Sequence, residues 1–305
     1  MRRGGEEPSY IREQDLLDRG YSRIAGCDEA GRGPLAGPVV AAAVILPTDL
    51  EPHLVHGLRD SKQLTEQQRD HFYRIVIELA VCHGVGTASP KEIDQINILK
   101  ASLLAMERAV GRLVPKPDYV LVDGNKTPSL RDIPAEAVVG GDRCSFSIAA
   151  ASIVAKVVRD RIMVSYHERY PQYGFDAHKG YPTEYHRAAL EVFGASDIHR
   201  YTFSGVAECL LAPAPSPTFE RLFKRFAARL TLDRMEDIEK DIEKSRGMSE
   251  AERFVLQYRC KHLLEDLKRK AIDLRPSTRE RGEAKEELAA RYMEKRGYKI
   301  WERNF

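Results

Sequence analysis

Four acidic residues are the side chains of this sequence best suited to do chemistry. Asp28 and Glu29 are adjacent and follow a short apolar run, Asp123 ends a second apolar run, and Asp142 precedes a long helical pattern. Carboxylate oxygens are the ligands that Mg²⁺ takes up together with water and substrate phosphates. Each acid alone fits a simpler interpretation, as an exposed turn residue or a helix cap. Taken together, they suggest a metal site.

The pair of adjacent acids sets a geometric condition. On a regular strand, Asp28 and Glu29 would point to opposite faces of the sheet. Both can serve one site only if the chain bends there, and the nearby glycines Gly31 and Gly33 permit a bend. The sequence therefore predicts an irregular backbone at the two acids.

The same glycine-rich segment suggests two other phosphate-binding motifs. Residues 31–36 match the dinucleotide-binding fingerprint letter by letter, but that fingerprint must open a helix. Here Pro34 and Pro38 interrupt the segment, and the strand-like run Val39–Leu46 follows. A phosphate-cradling P-loop also fails, because no Gly-Lys-Ser/Thr sequence closes the segment. We reject both interpretations.

The elements that must position the acids alternate between strand-like and helix-like patterns over the first two-thirds of the chain. The predicted strands are Ser22–Asp28, Gly37–Leu46, Gly84–Ala88, Tyr119–Val122 and Ala137–Val139. The predicted helices are Thr65–Ala80, with Thr65 as N-cap, Asn97–Leu113 and Ser147–Tyr170. This alternation predicts an α/β fold, with helices packed on a sheet.

A proline-rich segment divides the chain. Residues 213–217 carry a proline at every second position, which stiffens the backbone and is typical of a linker. We predict a catalytic domain over 1–212, the linker over 213–217 and a charged helical extension over 218–275. In that extension, apolar residues recur at helical spacing between charges, as expected of a helical hairpin with solvated faces.

Composition excludes several classes of protein. The 305 residues are 43% hydrophobic, enough for one substantial core, and no apolar run is long enough to span a membrane. The charged N-terminus does not resemble a signal peptide. The five cysteines are scattered without a CxxC pair, so neither a zinc site nor a disulfide framework is indicated. We expect a cytoplasmic protein.

The net charge of +2 is unevenly distributed. Residues 1–210 carry 25 lysines and arginines against 28 acids, and residues 211–305 carry 23 against 18. The acidic half would become weakly positive if two divalent ions bound its four carboxylates, and it would then accept a phosphate backbone.

Several separate motifs resemble those of the ribonuclease HII family, in its order and spacing, between Ile24 and Phe203. They are Asp28-Glu-Ala-Gly-Arg-Gly-Pro-Leu-Ala-Gly37, Asp60-Ser-Lys62, Val122-Asp-Gly124, Gly141-Asp142, Ile148-Ala-Ala-Ala-Ser-Ile-Val-Ala-Lys156, Arg159-Asp-Arg161 and His178-Lys-Gly-Tyr181. The resemblance implies a ribonuclease H-like mixed sheet flanked by helices, here with a C-terminal helical extension. It also implies a metal-dependent endonuclease that cuts the RNA strand of RNA–DNA hybrids, including single ribonucleotides in duplex DNA.

The resemblance also implies a role for each matched residue. Asp28, Glu29 and Asp123 would be ligands of Mg²⁺ or Mn²⁺, and Asp142 would serve a second ion. These two-metal sites leave 5′-phosphate and 3′-hydroxyl ends without a protein nucleophile. Asp160 belongs to a motif but lies within a predicted helix, where we expect a structural ion pair.

Nucleic-acid contacts carry over in the same way. The turn Gly31-Arg32-Gly33 would contact the ribose 2′-hydroxyl, largely through backbone atoms, and Ser61 and Lys62 would contact phosphates. Tyr181 would stack on the deoxyribose that follows a single ribonucleotide. From the sequence alone, a core tyrosine is an equally good interpretation of Tyr181.

The final residues depart from that family. Residues 276–305, through Arg281-Gly-Glu283, Tyr292, Gly297-Tyr298 and Arg303-Asn-Phe305, resemble the opening of a small nuclease-like family, the YraN family. Only about the first quarter of that domain is present, so we expect no second active nuclease.

Two other functions stay open at this stage. A DNA resolvase could use the same carboxylate scaffold, although the turn at residues 31–33 and Tyr181 argue against it. A non-catalytic nucleic-acid-binding module is the other alternative, but such a module has no use for carboxylates that face phosphates.

Overall fold

The computed structural model describes residues 8–50, 57–58, 61–210, 212–227 and 230–273. The chain forms two compact units that divide between Ala214 and Pro215, within the proline-rich segment. The YraN-like residues 276–305 lie outside the described part of the chain.

The first unit is built on a mixed five-stranded sheet. Its strands are β1 (Ile24–Ala30), β2 (Val39–Ile45), β3 (Cys82–Ala88), β4 (Tyr119–Asp123) and β5 (Ala135–Val138). They lie in the order β3-β2-β1-β4-β5. The first three strands pair antiparallel, whereas β4 pairs parallel with β1 and with β5. The predicted α/β fold with a mixed sheet is confirmed.

Helices cover both faces of this sheet. The helices of the first unit are α1 (Ile11–Asp18), α2 (Glu66–Leu79), α3 (Pro90–Ile96), α4 (Ile98–Gly111), α5 (Phe146–Arg169), α6 (Phe175–His178) and α7 (Glu184–Phe193). Thr65 caps α2, as predicted. The short helix α3 was not predicted; Ser89 caps it and Pro90 opens it.

Small residues let the two long helices lie close to the sheet. Alanines of α4 pack on one face of β2, and alanines of α5 pack on the other. At Gly26 of β1, an added Cβ would lie 2.0 Å from the backbone carbon of Ser147. Only glycine permits this approach, which brings the start of α5 against the strand that carries the adjacent acids.

The second unit is a small helical bundle with its own apolar core. Its helices are α8 (Pro217–Lys224), α9 (Leu232–Lys244) and α10 (Glu250–Asp273). The core side chains come from all three helices and from Phe226. The sequence predicted a helical hairpin, and the described residues form three helices instead. None of the described helices is long and apolar enough to cross a membrane.

Candidate active site

Three of the four acids meet where β1 and β4 end side by side. The parallel register pairs Cys27 with Val122, so the next residues, Asp28 and Asp123, are neighbours across the two strands. Glu29 follows on β1, and the negative charge of Asp123 acts on both Asp28 and Glu29. The strand order alone therefore gathers residues that are far apart in the sequence.

The backbone at the two adjacent acids is a regular strand, and the predicted bend is wrong. Strand β1 continues through Ala30, paired with β2 at Asp28 and Glu29. The chain turns only afterwards, at Gly31, whose φ is +97°. Both acids nevertheless interact electrostatically with Asp123 on the neighbouring strand, without a break in β1.

Asp28 is buried near the end of β1, with 4% of its surface exposed. Its side chain accepts hydrogen bonds from the Glu29 backbone N–H, at 2.6 Å, and from the Ser152 hydroxyl. Burial, and then the charges of Glu29 and Asp123, raise its pKa well above the usual range. A bound cation would remove this penalty, because it favours the ionised form.

Glu29 is the acid at the mouth of the site. Arg32 donates a hydrogen bond to its carboxylate at 3.2 Å. Burial raises the pKa of Glu29, while Arg32 lowers it, Asp123 raises it and Lys62 lowers it. Arg32 and Lys62 are exposed, so the positive charges of the site lie at its rim.

The remaining acid lies on a turn that is bonded to Asp123. Asp142 is buried in the short helical turn Gly141–Arg143, and the Gly141 N–H donates to the Asp123 carboxylate at 2.7 Å. The simpler interpretation of Asp142, as the cap of the following helix, is wrong, because Ser145 caps α5. The structure thus holds Asp142 on the loop beside Asp123.

The carboxylates at the strand ends are engaged in hydrogen bonds within the protein. Within the described ranges, no group of three or more His, Cys, Asp or Glu side chains is arranged to hold a metal ion. Their oxygens instead accept hydrogen bonds from the Glu29 N–H, the Gly141 N–H and Arg32. These hydrogen bonds hold the carboxylates of Asp28, Glu29 and Asp123 in the arrangement described.

The segment that precedes α2 contributes a buried serine and an exposed lysine. The Ser61 side chain is directed into the protein, and its hydroxyl lies 3.0 Å from that of Ser152. Since Ser152 bonds to Asp28, Ser61 supports that acid indirectly, a role that the sequence did not indicate. Lys62 is exposed and acts electrostatically on Glu29. Asp60 of the same motif lies outside the described residues.

Two buried arginines hold the turn that follows the acids. Arg200 donates to the carbonyl oxygens of Gly31, Arg32 and Gly37 at 2.5, 2.9 and 3.0 Å. Arg159 of α5 donates to the carbonyl oxygens of Ala36, Pro38 and Lys179 at 3.2, 3.2 and 3.0 Å. Both arginines are at most 1% exposed. They were not predicted as site residues, although Arg159 belongs to a motif that the sequence displays.

Tyr181 lies on the surface beside this turn. Its side chain is 41% exposed, which excludes the interpretation as a core tyrosine. A Cβ added at Gly33 would lie 3.8 Å from the Tyr181 ring, and among the described residues no other, apart from its chain neighbours, lies within 4 Å of it. The structure therefore brings the turn at residues 31–33 and Tyr181 together on one open surface.

A relay of neutral histidines supports the Tyr181 loop from inside. The Ser196 N–H donates to Nδ1 of His199 at 2.9 Å, so His199 donates through Nε2 to Nε2 of His186 at 3.0 Å. His186 then donates through Nδ1 to the Tyr181 carbonyl at 2.9 Å. Burial lowers the pKa of His186 to about 3 and that of His199 to about 4.

Two further acids serve the structure. Asp160 forms the expected ion pair within α5, with Lys156 at 2.7 Å. Glu13 of α1 is buried and accepts hydrogen bonds at 2.6 Å from the hydroxyls of Ser145 and Ser147 at the start of α5. A carboxylate at this end of a helix is favoured by the helix dipole. Glu13 lies outside every motif, so no sequence signal indicated it.

Comparison with known proteins identifies the family. The family model for ribonuclease HII matches residues 25–206. Ribonuclease HII of Syntrophotalea carbinolica is 51% identical over 203 residues, which cover 67% of this chain and 95% of that protein. Ribonuclease HII of Acidovorax sp. strain JS42 is 57% identical over 190 residues, which cover 62% of this chain and 89% of that protein.

A solved structure agrees with the sequence relatives. Ribonuclease H2 from Pyrococcus horikoshii OT3 superposes with a TM-score of 0.54 and 28% identity, covering 62% of this chain and 97% of that one. The matched residues include the sheet, the acids and the loops described above. The chain therefore belongs to the ribonuclease HII family and is a ribonuclease H, which cleaves the RNA strand of RNA–DNA hybrids.

Proposed function

We propose that this ribonuclease H acts as an endonuclease on RNA–DNA hybrids and on single ribonucleotides embedded in duplex DNA. Each cut breaks the bond between phosphorus and the 3′-oxygen and leaves 5′-phosphate and 3′-hydroxyl ends. The observation that carries the proposal is the meeting of Asp28, Glu29 and Asp123 at the strand ends, directly before a turn that shares an open surface with Tyr181.

Ribonucleases H depend on divalent metal ions, and the residues of this site fit such an ion in their chemistry. The donors are all carboxylate oxygens, which suit Mg²⁺ and Mn²⁺. The raised pKa values of Asp28 and Glu29 reflect buried negative charge that a cation would neutralise. We assign Asp28, Glu29 and Asp123 as ligands and place Asp142 at a second ion. Two bound ions would supply an activated water and stabilise charge on the leaving oxygen.

The chain itself binds and orients the substrate. The exposed Lys62 contacts phosphates of the duplex, and Arg32 can exchange Glu29 for a phosphate once the acid binds an ion. The Ser61 hydroxyl is turned inward toward Ser152, so the expected phosphate contact of Ser61 can come only from its backbone. Backbone atoms of residues 31–33 contact the 2′-hydroxyl, which distinguishes RNA from DNA. Gly33 supports this role, because a Cβ built there would meet the Tyr181 ring at 3.8 Å and no closer atom of the described residues outside its chain neighbours. Tyr181 stacks on the sugar that follows the ribonucleotide.

The test compares three duplexes in the presence of Mg²⁺ or Mn²⁺, and again with EDTA. The substrates are an RNA–DNA hybrid, a DNA duplex with one ribonucleotide and an all-DNA duplex. We expect metal-dependent cuts in the first two and none in the third. Cleavage of the all-DNA duplex would favour a resolvase, and binding without cleavage would favour a non-catalytic module.

A further inference from the structure

We infer that Arg159 and Arg200 are positioning residues that lock the turn at residues 31–33 to the Tyr181 loop and thereby set selectivity for a ribonucleotide. The inference rests on the proposed function, because it concerns the surface proposed to read the ribose. It assigns a role to two side chains that contact neither the phosphates nor the sugar.

The first observation is how completely the two guanidinium groups are used. Together they bond to five carbonyl oxygens between Gly31 and Pro38 and to a sixth at Lys179. Within the described residues, neither forms an ion pair with a carboxylate. Burial of a guanidinium is costly unless its N–H groups are satisfied, and here backbone carbonyls satisfy them. The arginines therefore fix the orientation of the carbonyl groups between Gly31 and Pro38.

The bonds to the arginines determine which backbone groups of the turn at residues 31–33 remain to contact a sugar. With the carbonyls of Gly31 and Arg32 held inward by Arg200, the amide groups of the turn are the part of its backbone not used by the arginines. Backbone N–H groups are suitable donors to a sugar oxygen. A loop already held in its bound geometry also avoids an entropic cost on binding.

The close approach of Arg159 to Gly31 is further evidence that this arginine holds the turn. A Cβ at Gly31 would lie 1.9 Å from Nε of Arg159, and the residue has a φ of +97°. Gly31 is therefore required by the arginine behind it, whereas Gly33 faces open space. The two glycines of the motif have different reasons to be glycine.

Arg159 also joins the turn to the tyrosine. It donates to the carbonyl of Lys179, and its guanidinium carbon lies 5.9 Å from the centre of the Tyr181 ring. The Leu35 N–H donates to the carbonyl of Gly180 at 2.8 Å. The two proposed sugar contacts are thus parts of one braced surface, and a shift of Arg159 would move both.

The experiment uses Arg159→Lys and Arg200→Lys in the full chain, because lysine keeps the charge but cannot bond to several carbonyls at once. The matched control is Arg161→Lys on the same helix, since Arg161 is exposed and pairs with Asp70, at 3.1 Å, and with the Tyr73 ring. The readout is kcat/KM on duplexes with one ribonucleotide or one 2′-fluoro nucleotide, whose fluorine is a poor acceptor for a backbone N–H. Melting temperature is measured in parallel.

We expect each buried-site variant to lose at least tenfold in kcat/KM on the ribonucleotide and to lose most of its preference over the 2′-fluoro nucleotide. Arg161→Lys should stay within twofold of the parent. Gly31→Ala should reproduce the Arg159→Lys defect. The double variant Gly31→Ala/Arg159→Lys should be no more impaired than the worse of its two single variants, because both changes displace the Arg159 guanidinium.

Two results would overturn the inference: an unchanged ribonucleotide preference in the arginine variants, or equal losses on both substrates that follow the melting temperature. If Arg200→Lys does not fold, Arg159→Lys and Gly31→Ala decide the question by the same criteria. Failure of the proposed function looks different, because the parent protein itself would then show no preference for a ribonucleotide.

Discussion

The aspartates of this protein have different neighbours, and those neighbours decide whether each one serves the fold or the candidate metal site. Asp160 has a lysine at 2.7 Å, and the ion pair is complete within α5. Asp123 bonds to the Gly141 N–H and lies beside Asp28, whose pKa it raises. Because Asp28 and Asp123 are close neighbours with like charge, a divalent cation would stabilise them far more than it would stabilise Asp160.

The first prediction follows from this contrast. Asp123→Asn should reduce cleavage of an RNA–DNA hybrid by at least about a hundredfold while hybrid binding persists, because one charge of a shared ligand set is lost. Asp160→Asn is the control and should retain cleavage with a modest loss of stability. Turnover and filter binding at saturating Mg²⁺ measure both. Near-normal turnover by Asp123→Asn would contradict the assignment.

The second prediction concerns Tyr181. Tyr181→Ala should depress cutting at a single ribonucleotide in DNA more than cutting of a continuous hybrid, and should leave the melting temperature almost unchanged because the ring is exposed. Tyr201→Ala is a matched control, since its side chain is 42% exposed. Parallel losses of activity and stability would show that the ring only supports the fold.

At the scale of elements, buried polar groups fix the segments around the site. Each histidine of the relay has a single tautomer compatible with its partners, and each is neutral. A proton added to His186 would place two N–H donors against each other at Nε2. The relay therefore holds the Tyr181 loop only while these rings stay uncharged.

The third prediction is a pH effect. The ordinary histidine pKa of 6.5 is lowered in the fold to about 3 at His186 and about 4 at His199. Below pH 6.5 the unfolded chain therefore binds protons that the folded chain does not, so stability is full above 6.5 and falls as pH decreases toward the folded values. At pH 5, each of these two histidines should lower the free energy of unfolding by about 2 kcal/mol.

The test compares urea unfolding at pH 7 and pH 5. His186→Gln should be less stable than the parent at pH 7 but should lose about 2 kcal/mol less on acidification. The exposed His71→Gln serves as control and should keep the parental pH dependence. The acids, the half-buried His178 and the buried His199 are present in both proteins, so the difference in pH dependence between the two reports on His186. The same pH dependence in His186→Gln as in the parent would refute the relay.

Sequence patterns predicted the strands and long helices because continuous apolar runs and capping residues mark them locally. The helices α1, α3, α6 and α7 were missed, because segments of four to ten residues are too short to show a clear helical period. The bend at Asp28 was wrongly predicted because convergence came from strand order, which a local pattern does not reveal. Arg200 was unpredictable for a similar reason: its partners, Gly31 and Gly37, are more than 160 residues away.

At the scale of the whole molecule, charge and chemistry are separated along the chain. The four acids and the loops near them belong to the first unit, and the excess of positive charge belongs to residues 211–305. Within the second unit, a cleft of about 390 Å³ is lined by four cations, with Asp241 paired to one of them. These cations are Arg221, Arg225, Lys244 and Arg246.

The fourth prediction is that the second unit adds affinity without changing turnover. Replacing Arg221, Lys244 and Arg246 with glutamine should weaken hybrid binding severalfold at low salt and converge on the parent at high salt, since phosphate contacts release counterions. Turnover at saturating substrate should not change. Replacing Lys240, Lys261 and Lys268 removes the same charge elsewhere in the unit and should weaken binding less. A loss of turnover would show that this unit takes part in the chemistry.

The contact of Glu13 with the start of α5 bears on how this enzyme can be shortened. The family match begins at residue 25, whereas Glu13 lies twelve residues earlier. A protein trimmed to the matched span would lack the carboxylate that accepts from Ser145 and Ser147, and it would expose the apolar surface that Leu16 covers. Boundaries drawn from sequence similarity would thus remove part of the support of Asp142, and a minimal nuclease from this chain should begin before α1.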